Sequence, residues 1–457
     1  MAPLWFLPII VSISKSPKRL FSSTTDGLSD MSTLSCMIPL ELYRPPRLRF
    51  RRNGINTDFS ATFSANRYGT LQEQDKIYRE SENHLSLQST LTEYILSVDL
   101  RHLILHRFIM SEGGKLRRAN FQPGQLNELK KRTDVLLATG WLQMEYSIPD
   151  RLYLKAVGRV NHYRNYNYQD MFGDAYWQQL RMAHLGTVST LPEMSLSAKW
   201  HFTPKVAIEA TYDHTLQYYH TLEGLPVGWF LDMMLPSGGA IQGGMADPEE
   251  ARQGNVAMSA AFGDHSISVG GFYKEMYNLL YFKYAQSLFS GAMASWEDYT
   301  YLGKGTSYGM ETLYEYVHED WYARVAYTLS KTTRHGFMEL NEGKPFHARF
   351  DRRHVLNATL QWKGFSAALI VQSGHWENGE AETYMMPMIG TEDWEAQYFS
   401  GYNNYHMPTV FRLDIGWQTG FKTGHLEHKV NVGICNVSNH FNPFMLYFDT
   451  PRSPGRR

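Results

Sequence analysis

Three stretches place aromatic rings beside carboxylates. Trp229 and Asp232 lie in GLPVGWFLDMMLPSGGAIQGGMADPEEAR (residues 224–252). Trp296, Asp298 and Tyr301 lie in SWEDYTYLGKGTSYG (295–309). Trp376, Glu377 and Trp394 lie in GHWENGEAETYMMPMIGTEDWEAQYFSGYNNYH (374–406). A flat ring next to an acid can recognise a ligand by stacking and charge, and loops on a rigid scaffold are where such recognition sits. The plainer reading of any single one of these residues is a solvated loop whose rings pack on one another.

Covalent chemistry finds no support. GKGTS (303–307) lacks the upstream glycine of a phosphate loop and precedes a strand instead of a helix. His425 and His428 in HLEH have no further ligands nearby, and a solvated pair is the simpler account. Asn357-Ala-Thr and Asn436-Val-Ser match glycosylation acceptors but fall on strands. No Ser/His/Asp or Cys/His grouping has the context of a nucleophile, so no catalytic residue, metal site or cofactor is expected.

The segments that carry those loops alternate apolar and polar residues with period two, as strands do. Leu152, Leu154, Ala156, Gly158 and Val160 share one face of their segment. Met194, Leu196, Ala198, Trp200 and Phe202 do the same, as do Trp321, Ala323, Val325, Tyr327 and Leu329. Leu356–Trp362, Phe411–Trp417 and Val430–Ile434 continue the series. Each segment reads as about 10 residues, enough for a tilted strand to cross a bilayer, whereas soluble strands run about 5–6. The opposite faces carry full charges, among them Glu209, Asp213, Glu311, Arg324, Arg412 and Asp414. Charges need water, so this face is expected to line a hydrated lumen and the bulky face to meet lipid.

The connections alternate in length. Tight turns are expected at Ile148-Pro149-Asp150, Thr203-Pro204, Gly263-Asp264-His265, His318-Glu319-Asp320 and Lys363-Gly364. Long connections fall near 164–193, 219–253, 278–305, 334–352 and 377–408. Short turns at one end and long loops at the other is the layout of an outer-membrane barrel, and about 15 strands exceed the roughly 8 of soluble up-and-down barrels. The fold class expected is all-β, a transmembrane antiparallel barrel.

Composition agrees. The 457 residues are 14% aromatic, with 29 Tyr and 11 Trp, which suits rings at a lipid–water boundary. A net charge of −1 gives no bulk pull toward nucleic acid. Cys36 and Cys435 are far apart in sequence and say little of redox setting. Residues 1–45 show no sustained period; their apolar MAPLWFLPIIVSIS precedes its basic residues, a poor export signal. They are left unassigned, as a disordered or misassigned start, with 46–450 as barrel and 451–457 as a disordered tail. A passive porin-like or adhesin barrel and a soluble β-rich carbohydrate binder are the alternatives.

YLGKGTSYGMETLYEY (301–316), NEGKPFHARFDRRHVLNATLQWK (341–363), FRLDIGWQT (411–419), KVNVGICNVSNHFNPFMLYF (429–448) and the passage from Tyr218 to Ser237 resemble the C-terminal barrel of TonB-dependent outer membrane receptors, with the Bacteroidetes branch nearest. The resemblance covers about residues 57–448. It implies a barrel of about 22 strands closed by a plug domain. It also implies ligand binding at extracellular loops and plug apex, and import of a siderophore, metal complex, haem, cobalamin or oligosaccharide. The implied partners are the bilayer, the TonB complex acting through the plug, and a surface lipoprotein as companion. Against that pattern no plug segment is recognised before the barrel, the strand count is short, and DTPRSPGRR replaces a last strand. The expectation is therefore a receptor barrel in the outer membrane, incomplete at both ends.

Overall fold

In the segment Val188–Thr203, side-chain exposure alternates at every residue as far as Phe202. Met194, Leu196, Trp200 and Phe202 are exposed, while the Ser and Lys residues between them are half-buried. That inversion of the soluble pattern repeats across the molecule. The computed structural model describes residues 35–39, 48–53, 57–78, 81–122, 133–166, 188–221, 234–236, 240–241, 244–245, 247–282, 300–379, 382–386, 394–398, 401–424 and 426–442.

Among the described residues the principal sheet has 18 strands, and each pairs antiparallel with its neighbours in chain order. Ser35–Pro39 and Leu48–Asn53 lie end to end along Thr57–Tyr78. Ser81–Leu105, Phe108–Gln122, Thr133–Ile148 and Leu152–Asn165 follow. Val188–Thr203, Val206–Gln217, Glu249–Phe262, His265–Phe282, Thr300–His318 and Trp321–His335 continue the meander. Phe346–His347 and His354–Trp362 share the next stave, and Phe365–Gln372, Val410–Thr423 and Leu426–Ile434 complete it. With the two broken staves each taken as one, the wall has 16 staves, one more than the sequence suggested. Among the described residues no pairing joins Leu426–Ile434 to Ser35–Pro39 or Leu48–Asn53.

All five expected tight turns are present. At three of them a non-glycine residue adopts left-handed φ: Asp150 (56°), Glu319 (44°) and Lys363 (52°). Gly263 (58°) and Gly424 (61°) supply the same conformation without a Cβ to strain it. The strands are longer than expected, up to 25 residues in Ser81–Leu105. The extra length lies mainly toward the long-connection end, where hairpins continue beyond the apolar band. No described helix is long and apolar enough to cross a membrane.

Apolar residues on neighbouring strands form one continuous band. Tyr146 pairs with Leu154 and Leu154 with Ala198. Leu196 pairs with Tyr212, Val256 with Ala210, and Met258 with Ile208. Toward the turns, rings gather on the same face: Trp200 meets Phe202 at 4.4 Å, and Trp321 stacks on Trp362 at 5.1 Å. One departure is the His102–Glu112 pair, 3.7 Å apart on the band's face. The opposite face is stitched by polar pairs: Thr139 donates to Asn161 (2.7 Å), Ser195 to Asp213 (2.6 Å) and Asn255 to Thr211 (2.8 Å). Among the described residues, buried apolar side chains gather in two clusters at the long-connection end, on the polar face.

Candidate functional site: the mouth at the long-connection end

The connection after Trp321–His335 folds back onto the polar face. Its short helix Met338–Asn341 ends in left-handed Glu342 (φ 53°). Phe337, Leu340 and Phe346 from this connection pack with Met276, Leu279, Tyr281 and Tyr301 from the wall. The wall is built to admit them. A bulge between Met276 and Leu279 places Asn278 in left-handed φ (57°) and re-aims the strand, so Leu279 and Tyr281 join the cluster. Gly303 leaves space that Phe337 fills, since a Cβ there would lie 2.2 Å from the ring. Tyr281 meets Phe346 and Tyr402 edge-on at 5.9 and 6.0 Å.

Gly303→Ala should therefore cost about 1–3 kcal/mol, the usual range for overpacking. Gly158→Ala, whose new methyl meets nothing within 4 Å, should be close to neutral. Thermal unfolding of the two variants in detergent checks the contrast.

A polar layer adjoins the rings. Asp351, 2% exposed, accepts the Thr332 backbone N–H at 2.8 Å, and His347 Nδ1 lies 2.9 Å away. Asn403 donates to the His347 carbonyl (2.8 Å) and receives a turn from Asn378, whose Oδ1 accepts the Asn403 N–H at 2.7 Å. Trp376 stacks on His347 at 3.9 Å, with rings 3° from parallel, and meets His406 at 4.7 Å. Glu377 accepts from Arg349 Nε (3.1 Å) and Nη2 (2.9 Å), and His375 Nε2 lies 3.0 Å away. Burial holds the Arg352 guanidinium below its ordinary pKa.

A second cluster stands on the wall made by Phe108–Gln122, Thr133–Ile148 and Leu152–Asn165. Tyr163 stacks on Tyr218 at 4.9 Å, with Ala119, Val135 and Tyr219 around them. The Arg117 guanidinium lies 5.7 Å over the Tyr219 ring and 3.6 Å from Glu93. Burial pushes the Tyr218 and Tyr219 phenols up to about 12, so both stay neutral hydroxyls at physiological pH.

Of the ring-and-acid residues singled out from sequence, the structure brings Tyr301, Trp376 and Glu377 to this mouth. Tyr301 is buried in the ring cluster, Trp376 contacts two imidazoles, and Glu377 is clamped by Arg349. Trp394 opens the strand Trp394–Tyr398, paired with Glu382–Met386. Trp229, Asp232, Trp296, Asp298 and His425 lie outside the described residues. The charged set lies along the polar face. Glu209 is 4.0 Å from Lys199 and Arg324 3.6 Å from Glu315; Arg412 and Asp414 pair at 2.8 Å. Asp213 takes its bond from Ser195, and Glu311 is exposed opposite Thr328. Sequence reading missed Asp351, His347, Arg349 and the Tyr163–Tyr218 stack. The charge density of FHARFDRRH (346–354) was the one signal. No group of three or more His, Cys, Asp or Glu suited to a metal occurs among the described residues.

The family model described as TonB dependent receptor-like, beta-barrel matches residues 40–439. No curated protein matches the chain. Among solved structures, the ferric-catecholate import receptor Fiu of E. coli K12 is similar with TM-score 0.57 and 12% identity, over 86% of this chain and 59% of its own. The ferripyoverdine receptor of the Pseudomonas aeruginosa outer membrane gives 0.56 and 11%, over 86% and 52%. The ferric yersiniabactin uptake receptor FyuA of Yersinia pestis gives 0.53 and 12%, over 86% and 56%. The chain thus spans between about half and three fifths of the length of these receptors.

Proposed function

We infer the function from one premise: the chain belongs to the TonB dependent receptor-like β-barrel family. Its place is the outer membrane. From that premise the polar face borders a hydrated bore, the apolar band meets lipid, and the long connections face the cell exterior. The protein is a receptor barrel for energy-dependent uptake of a nutrient too large or too scarce for passive pores. TonB drives that uptake through a plug domain. Siderophores, metal complexes and oligosaccharides are the cargo classes. Ferric chelates come first for testing, because they name the similar receptors.

The observation that carries the reading is the folded-in mouth. The described parts of two long connections lie on the polar face and are held by Phe337, Tyr281, Tyr402 and the Asp351 network. A receptor needs a rigid, aromatic-rich rim against which cargo docks, and these contacts supply one.

The test is uptake of 55Fe carried by a panel of catecholate, pyoverdine-type and phenolate chelates in cells with and without the gene. Disrupting the gene should abolish uptake of at least one chelate, and loss of TonB should reproduce the defect. Uptake unchanged for every chelate, together with steady ion conductance of the purified chain in a planar bilayer, would establish a passive porin instead.

A further inference from the structure

We propose that the apolar face holds one anionic phospholipid of the inner leaflet in a defined groove, its acyl chain lying between Tyr146 and Tyr212 and its phosphate meeting the basic tight turns beneath. The groove has a volume of about 480 Å³ and an apolar lining, within the range of built small-molecule sites. Ala156, Ala198 and Ala210 form its floor; Tyr146 stands at one flank, Leu196 and Tyr212 at the other. Register explains the trough. Leu154 pairs with Ala198 and Ala198 with Ala210, so two methyl side chains lie side by side in one row. In the next row toward the long connections Ala156 faces Leu196, and Leu196 faces Tyr212. Two residues along a strand separate successive rows by about 7 Å. The groove therefore begins one row, about 7 Å, above the Leu152–Trp200 pair, well within the depth of an acyl chain.

Charge selects the occupant. Three successive turns lie at the groove's foot. They carry Arg107, then Asp150 with Arg151, then Lys205, with His106 beside Arg107; all five side chains are exposed. Three cations thus face one carboxylate. The next two turns reverse the sign with Asp264, Glu319 and Asp320, so the cationic segment coincides with the groove. The turns are also rigid. The Arg151 N–H donates to the Ile148 carbonyl (3.1 Å), and the Arg151 carbonyl accepts the His201 N–H (2.8 Å). Thr203 Oγ1 accepts the Lys205 and Val206 N–H groups at 3.2 and 3.1 Å. Neighbouring strands stand about 4.8 Å apart, so adjacent hairpin turns sit about 10 Å apart, a span that flexible Arg and Lys side chains close around one phosphate. Within a bilayer every lipid tail is as apolar as the groove. The trough contributes shape, and the turns contribute preference for negative headgroups.

Native mass spectrometry of the full chain, delipidated and then offered phosphatidylglycerol or phosphatidylethanolamine of equal chain length, tests this. Phosphatidylglycerol should be retained preferentially. Arg107→Gln, Arg151→Gln and Lys205→Gln should each weaken it about fivefold. Lys363→Gln in its turn, with Lys422→Gln near the end of Val410–Thr423, both away from the groove, should change nothing. Ala198→Phe, which fills the floor, should lower retention of both lipids. Equal retention of the two lipids, or a triple Gln variant that binds as the natural chain does, would overturn the proposal. Full competition by glycerol 3-phosphate, a headgroup without chains, would overturn the groove's part in it.

Discussion

Leu196→Arg should destabilise the barrel by about 2–4 kcal/mol, while Ser197→Arg, one residue on, should stay within about 0.5 kcal/mol of the natural chain. The two positions differ in face and in little else. Leu196 is 45% exposed and pairs with Ala156 and Tyr212 inside the apolar band. A guanidinium there must enter hydrocarbon or drag water with it. Ser197 points to the face where Lys199 and Glu209 lie 4.0 Å apart, and a further charge finds water. Equilibrium unfolding in guanidinium from lipid vesicles separates the cases. In a soluble β-sandwich the order would invert, because the bulky face would be the packed one.

Asp351→Ala should release the mouth. The side chain is 1% exposed and holds three elements together: the Thr332 amide, the His347 ring and, at 3.9 Å, Arg353. Removing one partner of a buried charged group costs about 3–5 kcal/mol, largely through the groups left unmet. Here that loss falls on one connection and its two-residue pairing Phe346–His347, and the long sheet ladders do not depend on it. The expected result is fast hydrogen exchange at Thr332 and across 336–353, with the strands still protected. Asp351→Asn keeps an oxygen for the Thr332 amide and should show a smaller release. Protection unchanged in both variants would mean that the ring cluster alone holds the connection.

The wall was legible in sequence because lipid on one side and water on the other impose strict alternation. Val188–Thr203 shows it at nearly every residue, and Pro149-Asp150 and Lys363-Gly364 mark its turns. Strand ends were less legible. Beyond the bilayer both faces of a hairpin are wet, and period two fades. Thr300–His318 begins inside a stretch read as loop, since Gly303, Gly305 and Gly309 look like turn residues. Their role is steric: the first two make room for Phe337 and Arg334, and backbone atoms crowd the third. The mouth was hardest to read. Asp351 takes its bond from a residue 19 positions away, and Asn403 reaches His347 across 56. No local period carries such pairings. The strand count of 16 against about 15 reflects the paired segments Ser35–Pro39 and Leu48–Asn53, which show little alternation of their own.

Which face meets lipid is the central claim, and spin labels read it directly. Single labels at Leu196, Val256 and Trp417, and at Asp213, Arg324 and Arg412, go into the chain with Cys36 and Cys435 replaced by Ser. The labelled proteins are reconstituted in vesicles. Power-saturation spectra with oxygen, which concentrates in hydrocarbon, and with a nickel chelate, which stays in water, should divide the sites cleanly. The first three should relax with oxygen and the last three with nickel. Nickel reaching Leu196, Val256 and Trp417 while the charged positions are shielded from it would contradict the account.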